Sequence, residues 1–196
     1  MNQAELVFSE IDKTLEKIKD EKTFEKAHEL IKTSALEVNT FGKKACFSVT
    51  YIQKMKNELY DNFLKAMKIK ARDATGIVPS IDSCKVVEKL PMGFRREVII
   101  GNHAASQRVW ELKKENSFFI FFKTEGIKFI ATNELEKGKN ETIFTARYIV
   151  DEHPNPKYNS AESFLELVMN PTYGNLGKLS TANSLNDRYN RIVKSN

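Results

Sequence analysis

The sequence from residue 38 to residue 58 reads VNTFGKKACFSVTYIQKMKNE, and the charge of the chain changes sign where this stretch begins. Residues 1–37 contain six lysines and nine acidic residues, whereas residues 38–72 contain eight basic and two acidic residues. The net charge of the whole 196-residue chain is only +5, so the local excess is more informative than the total. A basic block of this kind favours contact with a polyanion.

Small and apolar residues in this stretch have the spacing of a helix-turn-helix. When Phe41 is taken as the fourth position of the unit, Gly42 occupies the small fifth position and Ala45 the eighth. The turn prefers glycine at the ninth position, where Cys46 stands at a conformational cost of about 1 kcal/mol. The apolar positions that follow are filled by Phe47, Ile52 and Met55. The spacing therefore predicts a short helix, a turn, and a longer helix over residues 48–72.

The phrase FGKKACFS at residues 41–48 resembles the helix-turn-helix of small DNA-binding proteins in resolvase, transposon-accessory and repressor families. The resemblance covers about residues 23–63 and implies that the second helix lies in the major groove of double-stranded DNA. It implies that Lys43 and Lys44 contact the DNA backbone, while outward residues of the second helix bind bases or phosphates. These outward residues are Ser48, Val49, Thr50, Tyr51, Gln53 and Lys54, and the basic face continues through Lys65, Lys68 and Arg72.

Hydrophobic periodicity divides the chain into a helical part and a strand-rich part. Amphipathic helices are predicted over residues 3–19 and 23–34. After Gly76 and Pro79, short β-rich runs separated by short turns predict an antiparallel sheet. The predicted strands cover residues 84–89, 95–101, 107–113, 117–124, 126–133 and 142–151, and helices follow at 161–169 and 182–194. We therefore expect an α+β fold, with a helical DNA-binding domain at 1–75 and an α+β domain at 80–196 for dimerisation or ligand sensing.

The main functional prediction is a sequence-specific double-stranded DNA-binding protein that regulates transcription or a mobile element. Such a protein acts by occupying its site, so no catalytic residue, cofactor or metal ligand is predicted. The apolar stripe of the first helix is expected to pair two protomers as a homodimer, and a small-molecule effector would act on the C-terminal domain. Neither cysteine lies in a Cys-x-x-Cys spacing and the N-terminus lacks a signal peptide, so a cytoplasmic location is expected.

Two alternatives come from the strand-rich part. Glu111 and Lys113 share one face of a predicted strand, and with Asp82 they match residues that hold Mg²⁺ and activate water in some nucleases. The run FFIFF at residues 118–122 is apolar on both sides, as in a strand covered on both faces. Alternatively, this run lines a cavity together with Trp110, Phe129, Phe144 and Tyr148. The protein would then be a non-enzymatic module that binds an apolar ligand or a protein partner.

Overall fold

The computed structural model describes residues 3–38, 46–151, 153 and 156–195. Its α-helices are α1 (Gln3–Leu15), α2 (Glu21–Val38), α3 (Tyr60–Arg72), α4 (Ala161–Phe164), α5 (Asn170–Ser180) and α6 (Leu185–Tyr189). Its strands are β1 (Cys46–Lys56), β2 (Ile81–Leu90), β3 (Gly93–Ile100), β4 (His103–Lys113), β5 (Ser117–Thr124), β6 (Lys128–Lys137) and β7 (Glu141–Asp151). A π-helical segment, Leu165–Met169, joins α4 to α5, and another, Asn190–Lys194, extends α6. Within these described ranges no helix is long and apolar enough to cross a membrane.

The seven strands form an antiparallel sheet in the order β1-β7-β6-β5-β4-β3-β2. Strands β2 to β7 follow one another through connections of two or three residues, which suit antiparallel neighbours. Gly101 and Gly126 adopt φ angles of 62° and 73° in two of these turns, a conformation that glycine reaches without steric strain. β1 pairs with β7 along its whole length, from Cys46 opposite Asp151 to Lys56 opposite Glu141. β1 and β2 are therefore the two edges of the sheet, and α3 lies on the connection between them.

Helices α1 and α2 cover one face of the sheet, which we call the back face. Phe24 of α2 stacks on Phe121 of β5 at a ring-centroid distance of 4.2 Å. The same buried cluster contains Phe8, Ile11 and Leu15 of α1 and Trp110, Ile130 and Ile149 of the sheet. The apolar stripe of α1 is thus buried within its own chain. The prediction that this stripe pairs two protomers is wrong, because the sheet already covers it.

The opposite face, called the front face, is covered by α3 and by the C-terminal helices. The Phe144 ring lies 5.0 Å from the ring of Phe63 on α3 and 5.0 Å from that of Tyr173 on α5. Within β5, alternate side chains pack on opposite faces: Phe118, Ile120 and Phe122 on the front, Phe119 and Phe121 on the back. The FFIFF run is therefore a strand covered on both faces, as its composition predicted.

A buried ionic cluster joins α2 to the back face. Nε2 of His28 lies 2.5 Å from Oε1 of Glu134, and Arg147 pairs with the same carboxylate. Burial acts to raise the pKa of Glu134, but the hydrogen bond with His28 and the charges of His28 and Arg147 outweigh burial. The pKa of Glu134 is therefore below its usual value, and the carboxylate is ionised at neutral pH. The cluster fixes α2 against strands β6 and β7.

The second helix of the predicted helix-turn-helix is strand β1 in the structure. Exposure along it alternates with a period of two residues, with Thr50, Ile52 and Lys54 exposed and the residues between them half-buried. The β-branched and aromatic residues at 49–52 favour a strand over a helix. Residues 39–45, which include Lys43 and Lys44, lie outside the described residues. The helix-turn-helix prediction is therefore wrong for its recognition element.

The broader prediction of an α+β fold, with an antiparallel sheet followed by C-terminal helices, is confirmed. Each of the six predicted strands overlaps one of β2 to β7, and the long predicted helix at 48–72 is helical only in its second half, α3.

The expected division into domains 1–75 and 80–196 cuts through the sheet. β1 lies in the first part, whereas its hydrogen-bonded partner β7 lies in the second.

Candidate functional site

A cavity of about 70 Å³ lies on the front face, between the sheet and the helical segment that follows it. Its apolar wall includes Phe122 of β5, Phe129 of β6 and Phe164 of α4. The cavity adjoins a cleft of about 1060 Å³ at the end of the sheet, where the β3–β4 and β5–β6 turns lie. Four residues line both spaces, and the place where they lie is called the passage below: Ser80, Ile100, Ile127 and His153.

Arg96 of β3 contributes a guanidinium to the polar part of this wall. Its side chain is 2% exposed, and Nε and Nη2 donate to Oε1 of Gln107 at 2.9 and 2.7 Å. Nη1 donates to the main-chain carbonyls of Lys70 and Ala71 at 2.8 and 2.6 Å. Gln107 in turn donates to Oγ1 of Thr124 at 2.9 Å. These bonds hold the guanidinium rigidly against the cavity.

Lys70 of α3 is the second cation in the wall of the cavity. It is 3% exposed, and Nζ donates to Oδ1 of Asn133 at 2.6 Å. Nδ2 of Asn133 donates to Oη of Tyr173 at 3.1 Å, and this hydroxyl lies 2.7 Å from Oη of Tyr148. Nζ also lies 4.9 Å from the centroid of the Phe122 ring, close enough for a cation–π contact. The amine is thus held in place by one hydrogen bond and by aromatic rings.

Lys70 and Arg96 both lie at positions where the periodicity of α3 and β3 places buried side chains. On α3, Lys70 lies one turn beyond Met67 and two turns beyond Phe63, on the stripe that packs against the sheet. On β3, Arg96 takes the buried position between Phe94 and Val98 in an alternating pattern. The register places Arg96 opposite Gln107, and Gln107 opposite Thr124, so a polar row crosses three strands. The fold therefore brings a helix and a sheet cation to one cavity.

The pKa values of Lys70 and Arg96 are determined mainly by the burial of both side chains. In the part of the chain that the structure describes, neither Lys70 nor Arg96 forms an ion pair with a carboxylate. Asp73, which follows α3, pairs with Arg188 at 3.6 Å and also favours the charged form of Arg96. Burial, and secondly repulsion from Arg96, lowers the pKa of Lys70 to about 7. Burial also lowers the pKa of Arg96, against the opposing influence of Cys84, yet guanidinium stays charged at neutral pH.

The tyrosines of the site remain neutral hydroxyls at physiological pH. Burial raises the pKa of Tyr148 to about 12, although the hydrogen bond with Tyr173 opposes this change. Burial raises the pKa of Tyr173 well above its usual value. The site therefore combines a permanent positive charge, an amine that gains or loses its proton near neutrality, and uncharged hydroxyl groups.

The residues predicted to contact DNA are dispersed by the structure. Ser48 donates from Oγ to the carbonyl of Ala35 on the back face, whereas the ring of Tyr51 stacks on Tyr173 on the front face, 4.8 Å away. Nζ of Lys54 lies 2.7 Å from Oε1 of Glu141 across the strand pair. Val49 packs against the front core, Thr50 is exposed, and Gln53 has a buried Oε1. Because successive side chains of a strand point to opposite faces of the sheet, these groups do not form one surface that could contact the bases of DNA.

The three basic residues predicted to extend a phosphate track are engaged within the protein. Lys65 donates to Oδ1 of Asn186 at 2.8 Å, and Nζ of Lys68 lies 5.5 Å from the Phe118 ring. Arg72 makes a bidentate ion pair with Glu111, with contacts of 2.7 and 2.9 Å. Together with the strand conformation of residues 46–56, these contacts overturn the prediction of a double-stranded DNA-binding regulator.

The structure does not assemble the predicted nuclease site. Asp82 lies at the start of β2, at the end of the sheet where Ile100 opposes His103. Glu111 lies eight residues beyond His103 along β4, a separation of roughly 26 Å at the usual rise per residue of a strand. Lys113 donates to Oη of Tyr60. Among the residues that the structure describes, no cluster of three His, Cys, Asp or Glu side chains could hold a metal ion.

The aromatic set proposed for an apolar cavity divides between two places. Phe129 and Tyr148 line the cavity, as does Phe122 from the FFIFF run. Trp110 lies in the back-face cluster, and Phe144 fills the front-face core. Sequence reasoning missed Lys70 and Arg96, the two residues that set the charge of the site. The signal available for each was a charged residue at a position that helical or strand periodicity assigns to the core.

The comparisons with known proteins concern the fold. No protein-family model matches the sequence, and no curated protein matches it. Among solved structures, Ara h 8.0201 is 11% identical with a TM-score of 0.47, over 69% of this chain and 99% of that one. A START superfamily protein from Mycobacterium smegmatis is 15% identical with a TM-score of 0.43, over 67% and 98% of the two chains. A norcoclaurine synthase from Thalictrum is 11% identical with a TM-score of 0.41, over 69% and 95%. Similarities this distant carry no argument about activity.

Proposed function

We propose that this protein binds an apolar small molecule in the front-face cavity, with part of the ligand extending into the cleft. The observation that carries the proposal is the cavity itself. Aromatic and aliphatic side chains line it, a few buried polar groups lie in its wall, and it shares four lining residues with the adjoining cleft. Small-molecule sites in proteins have this combination of a largely apolar wall and a few placed polar groups.

The elements around the cavity are suited to holding it open. The ring of Tyr148 lies 5.5 Å from that of Phe129 and 5.1 Å from that of Phe164, so large rings brace the wall against one another. The back-face helices bury the other side of the sheet, which fixes its position. A cleft of about 1060 Å³ is comparable in size with ordinary ligand sites, which span about 300–1,000 Å³. The inner cavity would then receive one end of the ligand.

The proposal is tested by titration with N-phenyl-1-naphthylamine, an uncharged apolar fluorophore whose emission rises on transfer from water. We expect saturable binding to the full-length protein. Ser80→Phe places a large ring at the passage, where Ser80 is only half-buried, and should weaken binding at least tenfold. Ser83→Phe is the matched control, because Ser83 is exposed on β2 and lines neither space.

The outcomes separate cleanly. Weakened binding by Ser80→Phe with unchanged binding by Ser83→Phe supports the cavity as the site. Equal affinity in both variants and the wild type would place the fluorophore elsewhere and contradict the proposal. Thermal unfolding of each variant checks that the fold is retained.

A further inference from the structure

The buried end of the cavity contains hydrogen-bond donors that the protein does not use. The four hydrogen bonds of Arg96 leave one N–H of its guanidinium without an acceptor. Nζ of Lys70 makes a single hydrogen bond, to Asn133, so its other N–H groups have no acceptor among the residues that the structure describes. Both residues line the cavity. Two cations with spare donors therefore face one small space.

The charge of this space is offset only in part by the elements packed around it. Cys84 and Asp73 favour the charged form of Arg96, whereas Lys70 has no acidic partner among the described residues. The polar groups that the neighbouring elements place around the two cations are mostly uncharged. They are the amide of Asn133 on β6, the hydroxyls of Tyr148 on β7 and Tyr173 on α5, and the thiol of Cys84 on β2, with Asp73 after α3 and His153 at the passage. Of these only Asp73 is a carboxylate, and it pairs with Arg188 at 3.6 Å. A buried charge without a partner is costly, and proteins usually pair it.

We propose that the inner end of the cavity binds the carboxylate of an apolar or aromatic acid between Lys70 and Arg96. This inference rests on the proposed function and specifies its ligand class. A carboxylate presents two oxygens that accept hydrogen bonds, which matches the spare N–H groups of the two cations. The apolar body of the acid would lie against Phe122, Phe129 and Phe164, towards the passage. The uncharged amide of the same shape has one acceptor oxygen and no negative charge, so it pairs less well with the two cations.

Binding of such an acid is coupled to a proton. In the free protein the amine loses its proton near neutral pH, because burial and Arg96 oppose its charge. A bound carboxylate favours the charged amine, so the complex retains the proton to higher pH. Above about pH 7 the ligand must therefore bind together with a proton, and affinity falls by up to about tenfold per pH unit. Below that pH the amine is already charged and affinity is level.

The test uses three acids of increasing size, phenylacetate, 1-naphthaleneacetate and decanoate, each with its uncharged amide. Isothermal titration calorimetry with the full-length protein measures affinity between pH 6 and pH 9. We expect at least one acid to bind at least tenfold more tightly than its amide at pH 6, with the preference shrinking as pH rises. Titration at pH 8 in two buffers of different ionisation enthalpy should show uptake of close to one proton per bound acid.

Lys70→Met tests the residue directly. It should reduce affinity for the acid at least tenfold, abolish proton uptake, and leave affinity for the amide unchanged. Lys65→Met is the matched control on the same helix, since Lys65 contacts Asn186 outside the cavity, and it should behave as wild type. The wild-type measurement of proton uptake stands by itself should Lys70→Met fail to fold.

The possible failures are distinguishable. An amide that binds as tightly as its acid, or binding of the acid without proton uptake, overturns this inference and leaves the proposed apolar site intact. Absence of binding by every acid and every amide overturns the proposed function as well.

Discussion

Replacing Lys70 by methionine is expected to stabilise the free protein at neutral pH. Methionine keeps an unbranched apolar side chain and removes the charge. Burial, together with repulsion from Arg96, lowers the pKa of Lys70 from 10.5 to about 7. Between these two pH values the unfolded chain binds more protons than the folded protein, so wild-type stability rises as pH increases through this window. The variant lacks this group and should lack its share of the pH dependence.

The size of the effect follows from the shift in pKa. A change from 10.5 to about 7 corresponds to about 5 kcal/mol, because each pKa unit contributes about 1.4 kcal/mol. This penalty on the wild type is almost fully present at about pH 6.5 and falls to about 1 kcal/mol at about pH 9.5. The stability advantage of Lys70→Met over wild type should therefore shrink by about 3 kcal/mol between these pH values.

Urea unfolding followed by circular dichroism measures this advantage at both pH values. Other titrating groups contribute equally to both proteins and cancel in the difference. Lys65→Met is the matched control on the same helix, because Lys65 is half-buried, hydrogen-bonded to Asn186 and outside the cavity. An advantage of Lys70→Met that stays constant to within about 0.5 kcal/mol would refute the reasoning, because it would mean that the amine is not desolvated in the folded state.

Further predictions concern the scaffold. Glu134→Gln leaves the partly buried Arg147 without its counter-charge and should lower the free energy of unfolding by about 3 kcal/mol at neutral pH, measured by urea unfolding. Because the pKa of Glu134 is lowered in the folded state, this loss should diminish as pH falls below its usual value of 4.5. Gly93→Ala would place a Cβ 1.9 Å from the carbonyl oxygen of Val109 and should destabilise by more than about 3 kcal/mol, whereas Gly174→Ala, with open space around it, should not lower the thermal midpoint.

The sheet was largely predictable because its connections are local. Each strand from β2 to β6 ends at a turn of two or three residues, and such turns favour antiparallel pairing with the next strand. The placement of β1 was not predictable in this way. Its partner β7 lies about a hundred residues later, and no local turn chemistry specifies that pairing.

The misassignment of β1 has a physical cause. Phe47, Ile52 and Met55 satisfy the loose apolar spacing of a helix-turn-helix, but they also fall within a run whose neighbours alternate between half-buried and exposed. The alternation, together with the β-branched residues at 49–52, was the better guide. The basic residues nearby then favoured a polyanion partner, although Lys54, Lys65 and Arg72 are engaged by groups of the same chain.

The candidate site was predictable only in part. The apolar wall around Phe129 and Tyr148 was among the alternatives, since aromatic strand residues can line a cavity. Lys70 and Arg96 could not be singled out from the sequence, because lysine and arginine side chains are ordinarily solvated. The two side chains meet because α3 packs across the sheet next to β3. The position of a helix on a sheet cannot be derived from the local patterns of a single sequence.

The π-helical segment Leu165–Met169 gives the roof of the cavity a property that the sheet lacks. This wider turn interrupts the run from α4 to α5, with Phe164 just before it and Val168 within it, both against the cavity. Removing one residue there would close the wider turn to an ordinary α-helical turn and shorten the wall between Phe164 and α5 by one residue, with Phe164 still on the same side of the helix. A single-residue insertion or deletion can thus be absorbed in this part of the cavity wall, while Lys70 on α3 and Arg96 on β3 keep their positions.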